Sequence, residues 1–377
     1  MFQSDLFPAG EQLPLEPLAY AIGIRIAALL ASGRHLTRAD ISGIFAEETG
    51  VLDWGSAWTI DDYNNAVEIG ALLWLRGSSR IDLATSVHEA EARFDWLEAA
   101  LPSRQVRSEA QVELQQFSTP PMLAWLTAKA AAVNAHDTLL EPSAGNGALA
   151  LWGCLHNASL LLNEIDPTRR DGLGNIFPAA RITAHDGELI SDLHRGPVPS
   201  VVMMNPPFAH SRERGNDGDT AQRHLRSAIR AAANGARIVA IMPEGFDAYI
   251  FAKVHDEASL LLNVRLEQMF RRTGTGIAVR LVVFDKTPTA SSPAITGDTA
   301  DLISLHELIT ALPPRVSANL SSEVRKPRFE PGYCRVGAAW LPNSALHAIS
   351  CARRFFDLAR ERQWACCIGY SGLLDNL

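Results

Sequence analysis

Leu139-Leu140-Glu141-Pro142-Ser143-Ala144-Gly145-Asn146-Gly147 carries a short apolar stretch into a glycine-rich turn. The run reads as a buried strand, the turn, and then a helix. Gly145 and Gly147 permit positive φ and let backbone approach a ligand closely. Position 150 is Ala, so only the looser Gly-x-Gly-x-x-Ala form is present, and no Lys-Ser/Thr follows it as in a phosphate-binding loop. The turn alone does not exclude a dinucleotide. Glu141, however, would sit badly beside a pyrophosphate. An acid there suits the ammonium of an amino-acid-bearing nucleoside such as S-adenosylmethionine, with Ser143 in the same turn as a further contact.

Working outward, Ser159-Leu160-Leu161-Leu162-Asn163-Glu164 reads as a second strand. It ends in an acid about twenty residues beyond the glycines, the spacing of a carboxylate that accepts from ribose hydroxyls. Ile165 can pack on an adenine face. A third strand, Arg181-Ile182-Thr183-Ala184-His185, ends in Asp186, placed to accept from an adenine amino group. Taken singly, acids such as Glu164 and Asp186 are most often solvated loop residues. In order, and followed by a fourth apolar strand, they read as ligand contacts along one sheet edge.

That fourth strand, Val201-Val202-Met203-Met204, runs into Asn205-Pro206-Pro207-Phe208. The Asn205 side-chain oxygen and the Pro206 carbonyl can each accept from one exocyclic N–H. The prolines fix φ and hold both acceptors in place, and Phe208 offers a flat face for stacking. An aromatic amine lends its lone pair to its ring. Two acceptors off the ring plane favour a pyramidal nitrogen able to attack a methyl group. The plainer alternative is a proline-rich turn closing a strand. Upstream, Gln115-Gln116-Phe117-Ser118-Thr119-Pro120-Pro121 precedes an amphipathic helix over 122–133, which Ser118 or Thr119 can cap. The functional reading adds that Phe117 and Thr119 close over the methionine end of the cofactor.

These segments resemble the N6-adenine DNA methyltransferases of the gamma arrangement, in which a Phe-Ser-Thr-Pro element comes first, then the Gly-rich motif, then Asn-Pro-Pro-aromatic. More narrowly, Gln115 to Pro121, Glu141 to Gly147, Asn163 to Pro167 and Asn205 to Phe208 resemble the methyltransferase portion of bacterial strawberry-notch-like methyltransferase/helicase proteins. The modification subunits of type I restriction systems are a second relative. The resemblance covers about residues 35 to 290. It implies a class I S-adenosylmethionine-dependent fold: Rossmann-like α/β, with a mostly parallel seven-stranded sheet whose last strand is antiparallel. It implies methyl transfer to adenine N6 in DNA, with Asn205, Pro206, Pro207 and Phe208 as catalytic residues. Phe117, Thr119, Glu141, Ser143, Gly145, Gly147, Glu164, Ile165, Asp186 and Asn205 would bind the cofactor. The same tetrad also serves transfer to cytosine N4, RNA amino groups and protein glutamines. A non-catalytic subunit that holds cofactor and DNA for a helicase or nuclease is a further alternative.

The chain has 377 residues, of which 47% are hydrophobic, enough for a large core. A net charge of −8 argues against strong non-specific nucleic-acid affinity, so DNA contact must rest on a local basic surface or a partner. Arg212, Arg214, Arg271 and Arg272 are candidates for such phosphate contacts. The five cysteines have neither metal-ligand nor disulfide spacing. No signal peptide is evident and the apolar run 18–31 is too short to span a bilayer, so a cytoplasmic protein without metal is expected.

Residues 1–108 read as a helical region, with Trp54, Trp58 and Trp74 packing helices together. Residues 109–287 read as the methyltransferase domain, with the next strands over 237–242, 264–270 and 277–285. A linker over 288–298 and a partly helical segment over 299–377, including a basic helix over 344–362, complete the chain. No Gly-x-x-x-x-Gly-Lys-Ser/Thr occurs, so the helicase half is not expected within these residues. The chain reads either as a stand-alone enzyme or as a piece of a longer polypeptide, with a helicase or specificity subunit supplied in cis or in trans.

Overall fold

A computed structural model describes residues 17–51, 55, 57–102, 118–208, 210–211, 215–216, 219–254, 257–267, 278–287, 293–315, 333–336 and 339–342. The N-terminal part is helical: α1 (Leu18–Ala31), α2 (Arg38–Thr49), α3 (Ile60–Gly77) and α4 (Val87–Ala100). The sequence sets the starts of α2 and α3. Thr37 and Thr59 each accept from the backbone N–H of an Asp three residues on, and Asp40 and Asp62 accept in return from the threonine N–H at 2.7 and 2.8 Å. Between α1 and α3, Gly23 meets Ile69 and Gly70 meets Ile26 where a Cβ would collide at 2.6 and 2.4 Å, so the two helices approach closely. Trp58 stacks on Phe45 (4.5 Å between ring centroids) and Trp74 on Trp96 (5.0 Å), and both are buried. These tryptophans pack helices, as expected; Trp54 lies outside the described residues.

The chain then enters α5 (Pro121–Ala131), β1 (Thr138–Glu141), α6 (Ala150–Leu155), β2 (Ser159–Asn163), α7 (Pro167–Ile176), β3 (Arg181–Thr183), α8 (Ile190–Leu193) and β4 (Val201–Met204). After β4 come α9 (Thr220–Ala231), β5 (Arg237–Pro243), α10 (Ala248–Val254), β6 (Ser259–Leu266), β7 (Val279–Asp285), β8 (Ile295–Thr299) and α11 (Leu302–Thr310). One sheet takes the order β8-β6-β7-β5-β4-β1-β2-β3. β1 to β5 are mutually parallel, and β7 runs antiparallel between β5 and β6. This is the expected class I methyltransferase sheet with one strand more. Ile295–Thr299, which begins within the stretch read as a linker, pairs parallel with β6 as β8.

Both faces of the sheet are covered, and alternation along each strand assigns the residues to them. Leu139, Val201, Met203, Val239 and Ile241 join the core that holds α1 to α7. Leu140, Val202, Met204, Ile238, Ala240 and Met242 join the core beneath α9 and α10. All four residues of β4 are buried, which is why its uninterrupted apolar run reads as a central strand. β6 begins at Ser259, earlier than the expected 264, because Leu260, Leu262 and Val264 all fill the core. At the edge of the sheet away from the carboxyl ends, Arg237 and Asp285 form a buried two-pronged ion pair (2.8 and 3.0 Å), and Arg237 also donates to the Pro313 carbonyl. It fixes the register of β5 against β7.

Two compact units divide the chain. One comprises Met1–His194 and Val198–Ser321, and the other Arg195–Pro197 and Ser322–Leu377. The N-terminal helices and the sheet share the first. In the second, Tyr333–Val336 pairs antiparallel with Ala339–Pro342. The basic stretch 344–362 lies outside the described residues. Among the described residues no helix is long and apolar enough to cross a membrane.

Candidate functional site

The carboxyl ends of β1, β2, β3 and β4 lie side by side, because those strands are parallel neighbours. Open α/β sheets hold ligands at such an edge. At the end of β1, Glu141 is 2% exposed and its Oε2 accepts from the Ala150 N–H at 2.8 Å. Burial pushes its pKa well above the usual carboxylate value, opposed by the backbone N–H groups of Ala150 and Leu149. Glu141 thus closes the glycine turn from inside. The same bond caps the first turn of α6, whose backbone N–H groups the carboxylate faces.

The two glycines of the turn differ. Gly147 has φ +88°, and a Cβ on it would lie 2.3 Å from Phe177 and 3.1 Å from Leu173. Its job is to let the turn pack on α7. Gly145 has φ +56°, and among the described residues a Cβ on it would meet only the Arg169 guanidinium, at 3.4 Å. Ser143, half-buried, lies in the same turn.

Glu164, just past β2, accepts from the Gly145 N–H at 2.6 Å with one oxygen and from the Asp166 N–H at 2.8 Å with the other. Burial raises its pKa, and the Arg169 guanidinium beside it opposes the rise. A carboxylate offers about four acceptor positions, so two remain for hydroxyl donors. Arg169, on α7, is 6% exposed, and burial lowers its pKa against the pull of Glu164, Asp166 and Asp61. Its Nη2 finds no acceptor among the described residues, and neither does Asp61 Oδ1 find a donor. Ile165 follows, half-buried. At the end of β3, Asp186 accepts from the Glu188 N–H at 2.9 Å and is half-buried. Asn163 ties the strand ends together: its Nδ2 donates to the Pro142 and His185 carbonyls (3.0 and 2.8 Å), and its Oδ1 accepts from the His185 N–H.

At the end of β4, Asn205 Nδ2 donates to Thr119 Oγ1 at 3.1 Å. This bond brings the Phe-Ser-Thr-Pro element, 86 residues earlier in sequence, to the Asn-Pro-Pro-Phe strand end. It also sets which end of the Asn205 amide faces Thr119 and directs the oxygen elsewhere. Pro206 is buried, Pro207 half-buried, and Phe208 is 7% exposed within the core that covers one sheet face. Phe117, Arg212, Arg214, Arg271 and Arg272 lie outside the described residues. Arg223 on α9 is held by Glu188 through two bonds of 2.9 Å.

Sequence reading missed a contribution from α3. Asn146, between the two glycines, donates from Nδ2 to Asn65 Oδ1 at 3.0 Å and to Glu68 Oε2. Ser118, beside Thr119, donates to Glu68 Oε1. Asn64 and Asn65 are 4% and 5% exposed, and polar residues this deep on an amphipathic helix were the available signal. A cleft of about 630 Å³ also opens beside the end of β5, lined by Glu244, Asp247, Asn263, Arg280 and Asp298. It shares no residue with the edge described above. Three carboxylates against one guanidinium make it a poor seat for phosphate.

The edge from β1 to β4 fits an amino-acid-bearing nucleoside. It offers a glycine turn with two positive-φ glycines and carboxylates at the ends of β2 and β3. Among the described residues no cluster of three or more His, Cys, Asp or Glu could hold a metal ion.

No protein-family model and no curated protein sequence matches the chain. Solved structures do resemble it. One from Listeria monocytogenes, provisionally described as a class I S-adenosylmethionine-dependent methyltransferase, is 13% identical over 78% of this chain and 96% of its own, with a TM-score of 0.45. A type I restriction-modification methyltransferase subunit from Streptococcus thermophilus is 12% identical over 78% of this chain and 85% of its own, at 0.40. A modification subunit from Vibrio vulnificus, provisionally described as part of a type I restriction enzyme, is 17% identical at 0.40; the alignment covers 72% of this chain and 61% of that one. At such identities and scores, the site's chemistry is read from this chain's own residues.

Proposed function

We propose that this protein transfers a methyl group from S-adenosylmethionine to the exocyclic N6 amino group of adenine in DNA. The observation that carries the reading is Asn205: it stands at the carboxyl end of the central strand, its amide tied by Nδ2 to Thr119, in the row formed by the glycine turn, Glu164 and Asp186.

When bound, S-adenosylmethionine supplies an electrophilic methyl on a sulfonium. Glu164 would take the ribose hydroxyls, Asp186 the adenine amino group and the Gly145 backbone the close approach of the ligand, with Ile165 packing on the adenine. Asn205 Oδ1 and the Pro206 carbonyl each accept one N–H of the target amine and turn its lone pair out of the ring. Pro206 and Pro207 hold those acceptors rigid, so little reorganisation is needed as charge develops on nitrogen. The N–H bonds to Asn205 and Pro206 strengthen as that nitrogen becomes cationic, and its proton leaves afterwards without a strong base. The target base reaches the pocket flipped or single-stranded. A helicase or specificity subunit, in cis or in trans, would supply the duplex contacts that a chain of net charge −8 supports weakly.

The same charge favours one second reading, transfer to a glutamine amide of a protein. Incubation with methyl-labelled S-adenosylmethionine and plasmid DNA, total RNA or a cell lysate separates these readings. Label in DNA supports the proposal; label confined to protein or RNA overturns it.

A further inference from the structure

We infer that Arg169 on α7 and Asp61 on α3 are further readers of the cofactor's ribose, completing with Glu164 a set of groups matched to a vicinal diol. This rests on the cofactor reading above and extends it to two residues outside the motifs. Arg169 is 6% exposed, so its guanidinium is a buried charge, and its Nη2 has no acceptor. A buried donor left without an acceptor is costly, and native interiors keep few of them. Half-buried Asp61 shows the complementary lack: its Oδ1 has no donor. Asp61 is close enough to act on the guanidinium electrostatically, yet no hydrogen bond joins Oδ1 to Nη2. Both lie beside the glycine turn. A Cβ on Gly145 would be 3.4 Å from Arg169 Nη1, and Glu164 accepts from the N–H of that same glycine at 2.6 Å. Helix α3 brings Asp61 there by packing on α7: a Cβ on Gly172 would be 3.7 Å from Ile69, and Arg76 donates to the Ile176 carbonyl at 2.5 Å.

The chemistry of this cluster selects the ligand group. Glu164, Asp166 and Asp61 already act on the guanidinium as negative charges. A further anion, such as the cofactor's own carboxylate, gains little where it meets three like charges for one opposite. A hydroxyl carries no charge, donates one proton and accepts through its lone pairs. One hydroxyl oxygen of a ribose can accept from Arg169 Nη2. The two hydroxyl protons then go to Asp61 Oδ1 and to Glu164, which keeps acceptor positions beyond its bonds from Gly145 and Asp166. A diol therefore satisfies both orphaned atoms at once, through bonds strengthened by the charge of each protein partner.

Calorimetric titration with S-adenosylhomocysteine and its 2′-deoxy and 3′-deoxy analogues tests this. Wild type is expected to bind at least one analogue about tenfold or more weakly than the parent, roughly 1.4 kcal/mol. Arg169→Met keeps the apolar stem without the donors and should narrow that gap by at least about threefold. Arg169→Lys keeps the charge and should retain more of the gap than Met. Asp61→Ala should also narrow it by at least about threefold, and keeps the test decisive if Arg169→Met does not fold. Variants that weaken parent and analogues by one common factor would assign the pair to packing around an ordered water and overturn the inference. A wild type indifferent to both hydroxyls would overturn it too. Wild-type protein that binds none of the three nucleosides overturns the cofactor reading itself, a distinct result.

Discussion

The glycine turn makes a prediction with two arms, because its two glycines face different surroundings. Gly147→Ala forces a side chain into φ +88° and drives a Cβ to 2.3 Å from Phe177, with Leu173 at 3.1 Å. Those neighbours are 2% and 0% exposed, so neither has room to withdraw. Left-handed backbone costs a non-glycine residue about 1–2 kcal/mol, and overpacking a core about 1–3 kcal/mol. The expected loss is therefore roughly 2–5 kcal/mol. Gly145→Ala incurs only the backbone part, about 1–2 kcal/mol, since among the described residues its Cβ would meet just the Arg169 guanidinium at 3.4 Å. Binding should show the reverse order. On the proposed function the Gly145 turn faces the cofactor, so a methyl there is expected to weaken S-adenosylhomocysteine by about tenfold or more, or 1.4 kcal/mol. Folded Gly147→Ala protein should bind nearly as well as wild type. Urea unfolding followed by circular dichroism, with calorimetric titration, reads both arms. Equal stability losses, or undiminished binding by Gly145→Ala, would refute the assignment of one glycine to packing and the other to the ligand.

Other outcomes follow from the same contacts. Arg237→Ala leaves Asp285 as a buried carboxylate without its two-pronged partner, and urea unfolding should show a loss of about 3–5 kcal/mol; a loss below about 1 kcal/mol would place the pair among weak surface bridges. Glu164 has a folded-state pKa raised by burial above its ordinary value of 4.5, so between that value and the raised one the folded protein holds more protons than the unfolded chain. Its stability contribution is present below 4.5 and is lost as pH rises through the raised value. Wild-type stability relative to Glu164→Gln should therefore fall with rising pH across that window; a difference that grows with pH contradicts the assignment.

What the sequence made legible was local. The Gly-rich turn, the acid after β2, the acid after β3 and the tetrad after β4 each sit within a few residues of an apolar run that reads as a strand. Parallel pairing then brings them to one edge. β8 escaped notice because Ile295–Thr299 carries Gly297 and Asp298 in a stretch rich in turn-forming residues, and only pairing with β6 makes it a strand. The roles of buried polar side chains were equally hidden. Glu141 reads as a ligand from its place before the glycines, and its bond from the Ala150 N–H emerges only in the fold. Arg169 and Glu68 reach the site only because α7 and α3 pack against the turn, and nothing in their neighbouring residues announces it. Asn65 and Glu68 could have been suspected as polar positions on a helix with an apolar face.

The most direct test of methyl transfer by Asn205 is mass spectrometry of nucleosides from DNA incubated with the protein and S-adenosylmethionine, for wild type and Asn205→Ala side by side. N6-methyldeoxyadenosine should form with wild type and fall at least about a hundredfold in the variant, close to 3 kcal/mol, while S-adenosylhomocysteine binding is largely kept. Equal product from both proteins would contradict the account, as would a methylated base other than N6-methyladenine.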